Sequence, residues 1–391
     1  MKNAKKDIRI NKIETKCVHG YKSSHDHTGA ISVPIYQSAT FSHVGLGEST
    51  GYDYSRLQNP TREHLEQTIA NLEGGADAIA FSTGMAAVSA VIEQFRPGDH
   101  IIGSDDLYGG SHRLFHHISM KNGIKFTFVD TSNLEKIKVA ITSETKAIFV
   151  ETPTNPMMQV TDIEEVSKIA KRNNILLIVD NTFLTPIFQN PIQLGADIII
   201  HSGTKFISGH NDTLAGFLVM KNKNLAENIR FISKTTGACL SPFDSWLVIR
   251  GIKTLPLRVR QQEKSAIKIA HWLKANRFVD EVYYVGLPSH KSYKVSSKQS
   301  SGFGSMISFT LKEEEFVKQV LDNIKIIQFA ESLGGVESLI TYPITQTHAD
   351  VPSQTLAAKG ITNKLLRLSV GIENVEDLIE DLEKAFMNLD L

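Results

Sequence analysis

A carboxylate and a lysine stand at the ends of two apolar runs, where they could do chemistry together. Asp180 follows NILLIV and Lys205 follows ADIIIHSGT, while Glu151, Asn155 and Tyr108 follow other runs of the same kind. In open parallel sheets, ligands bind beyond the carboxyl ends of the strands, so these side chains are expected around one crevice. A lysine amine adds to a carbonyl group only when it is unprotonated, which a desolvated pocket favours. The set therefore indicates imine chemistry on a carbonyl compound.

Pyridoxal 5'-phosphate (PLP) is the cofactor that this set suits. It offers an aldehyde to a lysine and acts as an electron sink while a carboxylate keeps its ring nitrogen protonated. We predict a Schiff base on Lys205, Asp180 at the ring nitrogen, and Tyr108 stacked on the ring and assisting proton transfer. Alone, Asp180 is more typical of a helix cap or an ion pair than of a cofactor ligand, and Lys205 alone is more typical of a solvated surface lysine. Their joint placement at two strand ends favours the site.

The segment FSTGMAAVSAVIEQF offers a place for the cofactor phosphate. Ser82 and Thr83 can cap a helix that Gly84 and Met85 open, and backbone N–H groups at a helix start bind phosphate. Ser202 and Thr204, beside the lysine, add hydroxyl donors. A simple N-cap without a ligand is the competing interpretation of the first group. Neither a Walker motif nor a G-x-G-x-x-G fingerprint is present, so nucleotide binding is unsupported.

The elements that must position these residues alternate between strand-like and helical patterns. Buried runs such as TKAIFVE and NILLIVD alternate with amphipathic stretches such as DIEEVSKIAKRN, which predicts an α/β fold with a mostly parallel sheet. We expect an extended arm over 1–55, a PLP-binding domain over 56–250 and a smaller α/β domain over 251–391. A long helical stretch over 241–276 is expected to bridge the last two.

Composition restricts the remaining function classes. The chain has 391 residues, more than one core of ordinary size holds, and its 42 basic residues equal its 42 acidic ones. This balance argues against nucleic acid or a charged membrane surface as partner. Two cysteines, no signal peptide and no apolar run of membrane-spanning length predict a cytoplasmic protein. The expected partners are small molecules and further copies of the chain.

Two other kinds of site have weaker support in the sequence. The segment 202–205 matches the S-x-x-K motif of penicillin-binding serine acylases, but the S-D-N and K-T-G partners are missing and FISGHNDT makes a poor helix. The fourteen histidines form neither an H-E-x-x-H motif nor a Cys/His cluster, so no metal is expected.

Several segments together resemble the Cys/Met-metabolism family of PLP enzymes, and the resemblance covers nearly the whole chain. The motifs, in order, are YSRLQNPTR, FSTGMAA, DLYGGSHRLF, ETPTNP, VDNTF, HSGTKFISGHND, ESLGGVESL and LRLSVGIE. The resemblance implies a fold-type I, aminotransferase-like fold and a homotetramer built as a dimer of dimers. It implies that Tyr54 and Arg56 reach the cofactor phosphate of a neighbouring subunit. It also implies that Asn155, Ser332 and Arg367 hold the α-carboxylate of an amino-acid substrate.

Members of this family catalyse γ-replacement or β- or γ-elimination on one kind of site. Glu331 resembles the glutamate of the γ-synthases and γ-lyases, which handle a polar distal amino group, and Gly110 stands where methionine γ-lyases commonly carry cysteine. GLGEST, SPFDSWLVIRGIKTLPLR and QTHADVP are most similar to bacterial γ-synthases. The favoured expectation is γ-replacement of an O-acylhomoserine by cysteine to give cystathionine. The β- and γ-lyase reactions, and a PLP-binding protein without turnover, are the alternatives.

Overall fold

The computed structural model describes residues 12–21, 28–349, 351, 353–387 and 389. Among them lie two β-sheets with helices packed on both. The helices are α1 Ile13–His19, α2 Pro60–Glu73, α3 Gly84–Ile92, α4 Gly109–Leu114, α5 Leu134–Ala140, α6 Ile163–Arg172, α7 Thr185–Phe188, α8 Lys223–Thr236, α9 Pro242–Ile252, α10 Leu255–Ala275, α11 Tyr293–Gln299, α12 Glu315–Asn323, α13 Ser353–Ala358 and α14 Val375–Met387, with a π-helical turn, Phe115–Ser119, directly after α4. The strands are β1 Asp77–Phe81, β2 His100–Ser104, β3 Lys125–Val129, β4 Thr145–Glu151, β5 Leu176–Asp180, β6 Ile198–Ser202, β7 Gly216–Met220, β8 Val279–Tyr283, β9 Met306–Leu311, β10 Gln328–Phe329, β11 Leu339–Thr341 and β12 Leu365–Ser369.

The large sheet has seven strands in the order β1-β7-β6-β5-β4-β2-β3. Strands β2 to β6 run parallel to one another, and β7 runs antiparallel to both of its neighbours. The predicted α/β fold with a mostly parallel sheet is therefore confirmed. In the register of the central strands, Glu151 pairs with Asp180, and Asp180 pairs with Ile200. Three strand ends thus meet at one edge of the sheet.

Both faces of this sheet are covered, which explains the continuous apolar runs in the sequence. Val179 and Ile199 pack in one core with residues of α2 and α6. Ile178, Ile198 and Ile200 pack in another core with residues of α3. Successive side chains of a strand alternate between these two cores, and in β5 the first polar residue is the last one, Asp180.

The predicted helical stretch over 241–276 is two helices rather than one. Helix α9 ends at Ile252 and α10 begins at Leu255, with Pro256 in its first turn. Proline has no N–H group and fits the first turn of a helix, so it favours a new start over continuation. Gly251 lies tightly against the backbone of Ser208, where a Cβ atom would stand 2.3 Å from the carbonyl oxygen. This contact places α9 against the segment that follows Lys205.

The second sheet has five strands in the order β10-β11-β12-β9-β8. Strand β12 carries Arg367, which pairs in the sheet with Ser308 of β9 and Thr341 of β11. The turn that contains Glu331 and Ser332 follows β10. The division of the chain at residues 55 and 250 stays a prediction. Among the described residues of 1–55 the structure shows one helix, α1, whose Cys17 is buried.

No helix among the described residues is both long and apolar enough to cross a bilayer. Among these residues there is also no group of three or more His, Cys, Asp or Glu side chains placed to hold a metal ion.

Candidate active site

Lys205 lies in the loop that follows β6, inside a cavity of about 210 Å³ between the two sheets. Its Nζ donates a hydrogen bond of 2.8 Å to the Ser332 hydroxyl, which comes from the opposite side of the cavity. Desolvation, and to a smaller degree the charge of Arg367, lowers the pKa of Lys205 to about 8. A lysine near the surface would stay almost wholly protonated at neutral pH, whereas this one is partly available as the free amine.

This pKa predicts how the apoenzyme takes up PLP. Only the neutral amine adds to an aldehyde, and below pH 8 its fraction falls about tenfold per pH unit. The rate at which the visible cofactor band appears after mixing with PLP should therefore rise steeply from pH 6 to pH 8 and level off above it. Stopped-flow absorbance at a series of pH values measures this profile. A rate that still rises tenfold per unit between pH 9 and pH 10 would show that burial does not activate the amine.

Asp180 ends β5 and lines the same cavity. Its Oδ1 accepts a hydrogen bond of 2.9 Å from the backbone N–H of Thr182. Burial raises the pKa of Asp180, while hydrogen bonds from Thr182 and, to a smaller degree, the electrostatic effect of His201 lower it. A partly desolvated carboxyl in this position gains most from a cation placed against it, and a protonated ring nitrogen is such a cation.

Glu151, the last residue of β4, is a buried carboxyl to which the sequence assigned no role. Its Oε2 accepts a hydrogen bond of 2.9 Å from the backbone N–H of Tyr108, and its Oε1 accepts one of 3.0 Å from the N–H of Asn155. Burial, followed by the negative charge of Asp180, raises the pKa of Glu151 well above its ordinary value. The register that pairs Glu151 with Asp180 is what places this carboxyl beneath two loops of the site. A strand ending in glutamate was the available signal.

The replacement Glu151→Gln should reduce kcat/KM about tenfold. Glutamine keeps one acceptor oxygen but turns an NH₂ group toward one of the two backbone N–H donors, and one lost buried hydrogen bond costs about 1–3 kcal/mol. Steady-state kinetics on the reaction that the wild type catalyses measures the loss. Glu144→Gln, an exposed change just before the same strand, is the control and should leave kcat/KM unchanged. An unaltered kcat/KM for the Glu151 variant would contradict the positioning of the two loops by this carboxyl.

Tyr108 precedes α4, is 41% exposed and lines the cavity. Two glycines follow it, and neither position has room for a side chain. A Cβ atom on Gly109 would stand 2.1 Å from the carbonyl oxygen of Thr347, and one on Gly110 would stand 2.5 Å from the ring of Tyr108 and 3.0 Å from the sulfur of Met85. The absence of side chains at both positions therefore lets the aromatic ring lie over the cavity.

Arg367 is the largest fully buried side chain of the described chain, with 1% of its surface exposed. Its Nη1 donates to the side-chain oxygen of Asn155 at 2.8 Å, and its Nη2 donates to the carbonyl oxygen of Ser332 at 3.0 Å and the hydroxyl of Thr341 at 3.1 Å. Its Nε has no hydrogen-bond partner among the described residues. Desolvation lowers the pKa of Arg367 to about 10. The structure thus joins Asn155, Ser332 and Arg367, although their positions in the chain are far apart.

Ser332 occupies an uncommon backbone conformation, with φ 90°, between Arg367 and Lys205. Its carbonyl oxygen accepts from the arginine while its hydroxyl accepts from the lysine. Non-glycine residues at positive φ are strained and are often found at functional sites. Glu331, directly before it, is exposed and lines the mouth of the cavity.

At the other end of the cavity stands the N-terminus of α3. Thr83 caps this helix by accepting from the N–H of Ala86 at 3.0 Å. Gly84 lies against Ser202, where a Cβ atom would stand 3.0 Å from the serine Cβ, so the helix start and the end of β6 form one narrow cradle. Thr204 donates to the carbonyl oxygen of Ala215 at 3.2 Å and accepts from its N–H at 3.0 Å. Met85 completes the wall.

This set of residues fits PLP. The cradle of a helix N-terminus and hydroxyl groups suits a phosphate, the neutral fraction of Lys205 suits an aldehyde, and Asp180 suits a protonated ring nitrogen. The glycine at position 84 leaves room for a close approach that any larger residue would fill.

Tyr54 and Arg56 do not line this cavity within one chain. The guanidinium of Arg56 lies 5.5 Å from the ring centre of Tyr54 and donates to the carbonyl oxygen of Lys234. Tyr54 is 45% exposed. Both side chains belong to the surface of this chain, as a contribution to a neighbouring subunit requires, and that contribution stays a prediction.

The mostly parallel seven-stranded sheet, the smaller second sheet and the lysine between them define a fold-type I PLP-dependent enzyme. The family model of the Cys/Met metabolism PLP-dependent enzymes matches residues 14–387, and the chain belongs to this family. The predicted cofactor and the predicted family are confirmed.

Three similar proteins represent three activities within the family. A cystathionine beta-lyase of Lactococcus lactis subsp. cremoris (strain MG1363) is 50% identical over 96% of this chain and 99% of its own length. A cystathionine gamma-synthase of Haemophilus influenzae is 50% identical over 96% of this chain and 98% of its own length. The crystal structure of cystathionine gamma-lyase from Lactobacillus plantarum complexed with L-serine has a TM-score of 0.95 and 42% identity, and covers 96% of this chain and 99% of that one. The chain is therefore a PLP-dependent enzyme of the trans-sulfuration family.

Proposed function

We propose that this enzyme catalyses γ-replacement, in which the thiol of cysteine displaces the acyloxy group of an O-acylhomoserine to give cystathionine and the free carboxylic acid, as a cystathionine γ-synthase does. The observation that carries this proposal is the exposed carboxylate of Glu331 at the mouth of the cavity, next to Ser332. A substrate whose α-carboxylate lies at Arg367 would extend its far end toward that mouth. A carboxylate there favours a partner or product with a second, positively charged amino group, and cystathionine has one.

The residues of the chain divide the work between binding and proton transfer. Arg367 and Asn155 bind the α-carboxylate, because a guanidinium fork fits a carboxylate bidentately. Bound PLP supplies an electron sink that stabilises negative charge next to the reacting carbon. Lys205, with its pKa lowered to about 8, removes the α-proton of the substrate and moves protons along the substrate carbons. Tyr108 lies over the same cavity as the second proton-transfer group.

Asp180 holds the ring nitrogen of the cofactor in its charged form, and Ser202, Thr204 and the amides of Gly84 and Met85 bind the phosphate. The hydrogen bond from Lys205 to Ser332 holds the amine toward the substrate side of the cavity. The contacts within one chain support these assignments.

A product assay decides the reaction. The purified holoenzyme is incubated with O-acetylhomoserine or O-succinylhomoserine together with cysteine, and separately with cystathionine alone. Cystathionine formation in the first mixtures supports γ-replacement and identifies the acyl donor. Consumption of cystathionine with release of pyruvate or 2-oxobutyrate, and no cystathionine formed in the first mixtures, would overturn the proposal in favour of a lyase.

Elimination is the second candidate. The similarity to proteins named cystathionine beta-lyase and cystathionine gamma-lyase favours it, and removal of the α-proton by Lys205 is a step that elimination shares with replacement. The assay with cystathionine alone reports it directly: pyruvate indicates β-elimination and 2-oxobutyrate indicates γ-elimination.

The proposal includes a homotetramer in which Tyr54 and Arg56 complete a neighbouring cofactor site, and a cytoplasmic location. The exposure of both side chains beyond their own cavity supports the shared site. Mixing Arg56→Ala subunits with Lys205→Ala subunits tests it, because hybrid assemblies with exchanged residues regain one intact site. Activity restored in the mixture supports a shared site, and no restoration in proven hybrids contradicts it.

A further inference from the structure

A buried polar pair lies on the face of the large sheet opposite the cofactor cavity. Glu73, the last residue of α2, accepts a hydrogen bond of 2.6 Å from Nε2 of His201 in β6. Their side chains are 0% and 1% exposed. Burying a carboxylate costs free energy unless it is paired and hydrogen-bonded, so the position of this pair needs an explanation that packing alone does not supply.

The pair is attached to both strands that carry the cofactor site. His201 lies between Ile200 and Ser202, which line the cavity, and side chains alternate along a strand, so the imidazole lies on the reverse face. Glu73 Oε1 also accepts a hydrogen bond of 2.8 Å from the amide of Asn181, the residue directly after Asp180. One carboxylate oxygen therefore joins the end of β5 to the end of β6 from behind.

The imidazole has a second feature that packing does not require. Its Nδ1 is buried without a hydrogen-bond partner among the described residues. Buried polar atoms are nearly always paired, and those that are not call for a functional or structural reason. Because a carboxylate only accepts, the hydrogen on Nε2 is directed to Glu73. The charge of His201 is one of the causes that lower the pKa of Asp180.

We propose that Glu73 and His201 are a positioning pair for the cofactor, which holds Asp180 and Ser202 in place from the reverse face of the sheet. The inference rests on the proposed pairing of Asp180 with the ring nitrogen. Neither residue contacts the cavity, so their influence passes through Asp180 and Ser202 and not through substrate.

His201→Gln tests the pair, because glutamine replaces the rigid imidazole with a flexible amide and so no longer fixes the 2.6 Å hydrogen bond to Glu73. The dissociation constant of PLP is measured by titrating the apoenzyme, together with the visible spectrum at fixed pH and the melting temperature. We expect cofactor binding about tenfold weaker, the loss typical of residues that orient a ligand from outside its first contacts. We also expect a changed intensity of the visible band.

His100→Gln is the matched control. His100 is a buried histidine of the same sheet, bonded to Thr145 at 2.8 Å and Thr127 at 2.9 Å, but it stands at the start of β2, away from the cavity. This variant should lower the melting temperature and leave the PLP dissociation constant unchanged. If His201→Gln behaves in the same way, its role is structural and the inference is overturned.

A double-mutant cycle with Asp180→Asn separates a route through Asp180 from a general loosening of the site. The tenfold effect of His201→Gln should become smaller in the Asp180→Asn background, because only the route through Ser202 remains. An equal, tenfold effect in both backgrounds overturns the inference. If His201→Gln does not fold, Glu73→Gln takes its place in the cycle, with the same expected and contradicting results.

The proposed function is assayed alongside in the wild type. If the wild type turns over its substrates but His201→Gln binds PLP as tightly as the wild type does, only the inference about the positioning pair is overturned. If the wild type binds PLP but converts neither an O-acylhomoserine nor cystathionine, the proposed function is overturned. The PLP-binding experiment on His201→Gln still tests the positioning pair in that case.

Discussion

Lys205→Ala abolishes the visible absorption band of bound PLP near ~420 nm and reduces turnover by ~10³-fold or more. The amine is the group that bonds the cofactor aldehyde and moves protons in the proposed reaction, and alanine can do neither. General acid–base catalysis by one group contributes about 10²–10⁴-fold, and loss of the covalent attachment adds to this. A visible spectrum of the protein after dialysis against PLP, and a product assay at matched enzyme concentration, measure the two effects.

Lys221→Ala is the control for removing a lysine from the same part of the chain. Lys221 directly follows β7 and is partly exposed. Its ammonium lies 3.8 Å from a carboxylate oxygen of Asp197, and so long an ion pair near the surface contributes little to stability. The control variant should keep the band and the turnover. Retention of the ~420 nm band by Lys205→Ala would show that another lysine holds the cofactor, and the assignment of the site would fail.

Arg367→Lys raises KM for the amino-acid substrate strongly while leaving the cofactor band in place. Arg367 is fully buried, and three hydrogen bonds hold its guanidinium at the substrate side of the cavity. Lysine keeps a positive charge but loses the planar fork that meets a carboxylate with two parallel hydrogen bonds. Loss of a partner from a buried charge pair costs about 3 kcal/mol, so kcat/KM should fall ~100-fold or more.

The preserved band distinguishes this variant from the loss of Lys205, because the cofactor contacts are unchanged. Arg258→Lys is the matched control: Arg258 is also buried, and its guanidinium donates to the carbonyl oxygens of Phe206 at 2.8 Å and Gly251 at 2.9 Å. We expect a lower melting temperature with KM unchanged for the control. If Arg367→Lys lowers only the melting temperature, Arg367 is a structural residue and another group binds the substrate carboxylate.

Much of the fold follows from local patterns. The strands ending in Asp180 and Ser202 are apolar runs buried on both faces, and α6 has an amphipathic period. Both kinds of element can therefore be predicted from about ten consecutive residues. The short strands β1 and β7, DAIAF and GFLVM, were not predicted. Each is five residues long, and their antiparallel pairing depends on partners far along the chain.

The sequence predicts those site residues that directly follow a recognisable strand. Lys205 and Asp180 follow their runs directly, and the rule that ligands bind at the carboxyl ends of parallel strands brought them together. Glu151 also ends a run, but its role depends on two backbone N–H groups in separate loops. Glu73 ends an ordinary amphipathic helix, and nothing near it in the chain indicates that His201 is its partner.

By itself, the sequence determined the chemistry of this protein: a lysine, a carboxylate and a helix start for a phosphate, each placed by its own strand or helix. Only the tertiary structure decided the distances between these groups, their burial and their pKa values. The 2.8 Å hydrogen bond between Lys205 and Ser332 and the contact of Arg367 with Asn155 join segments that lie far apart in the chain. The pKa of about 8 for Lys205 arises from the desolvation and the charges that this packing creates. Periodicity describes one element at a time, whereas distance and burial arise between elements.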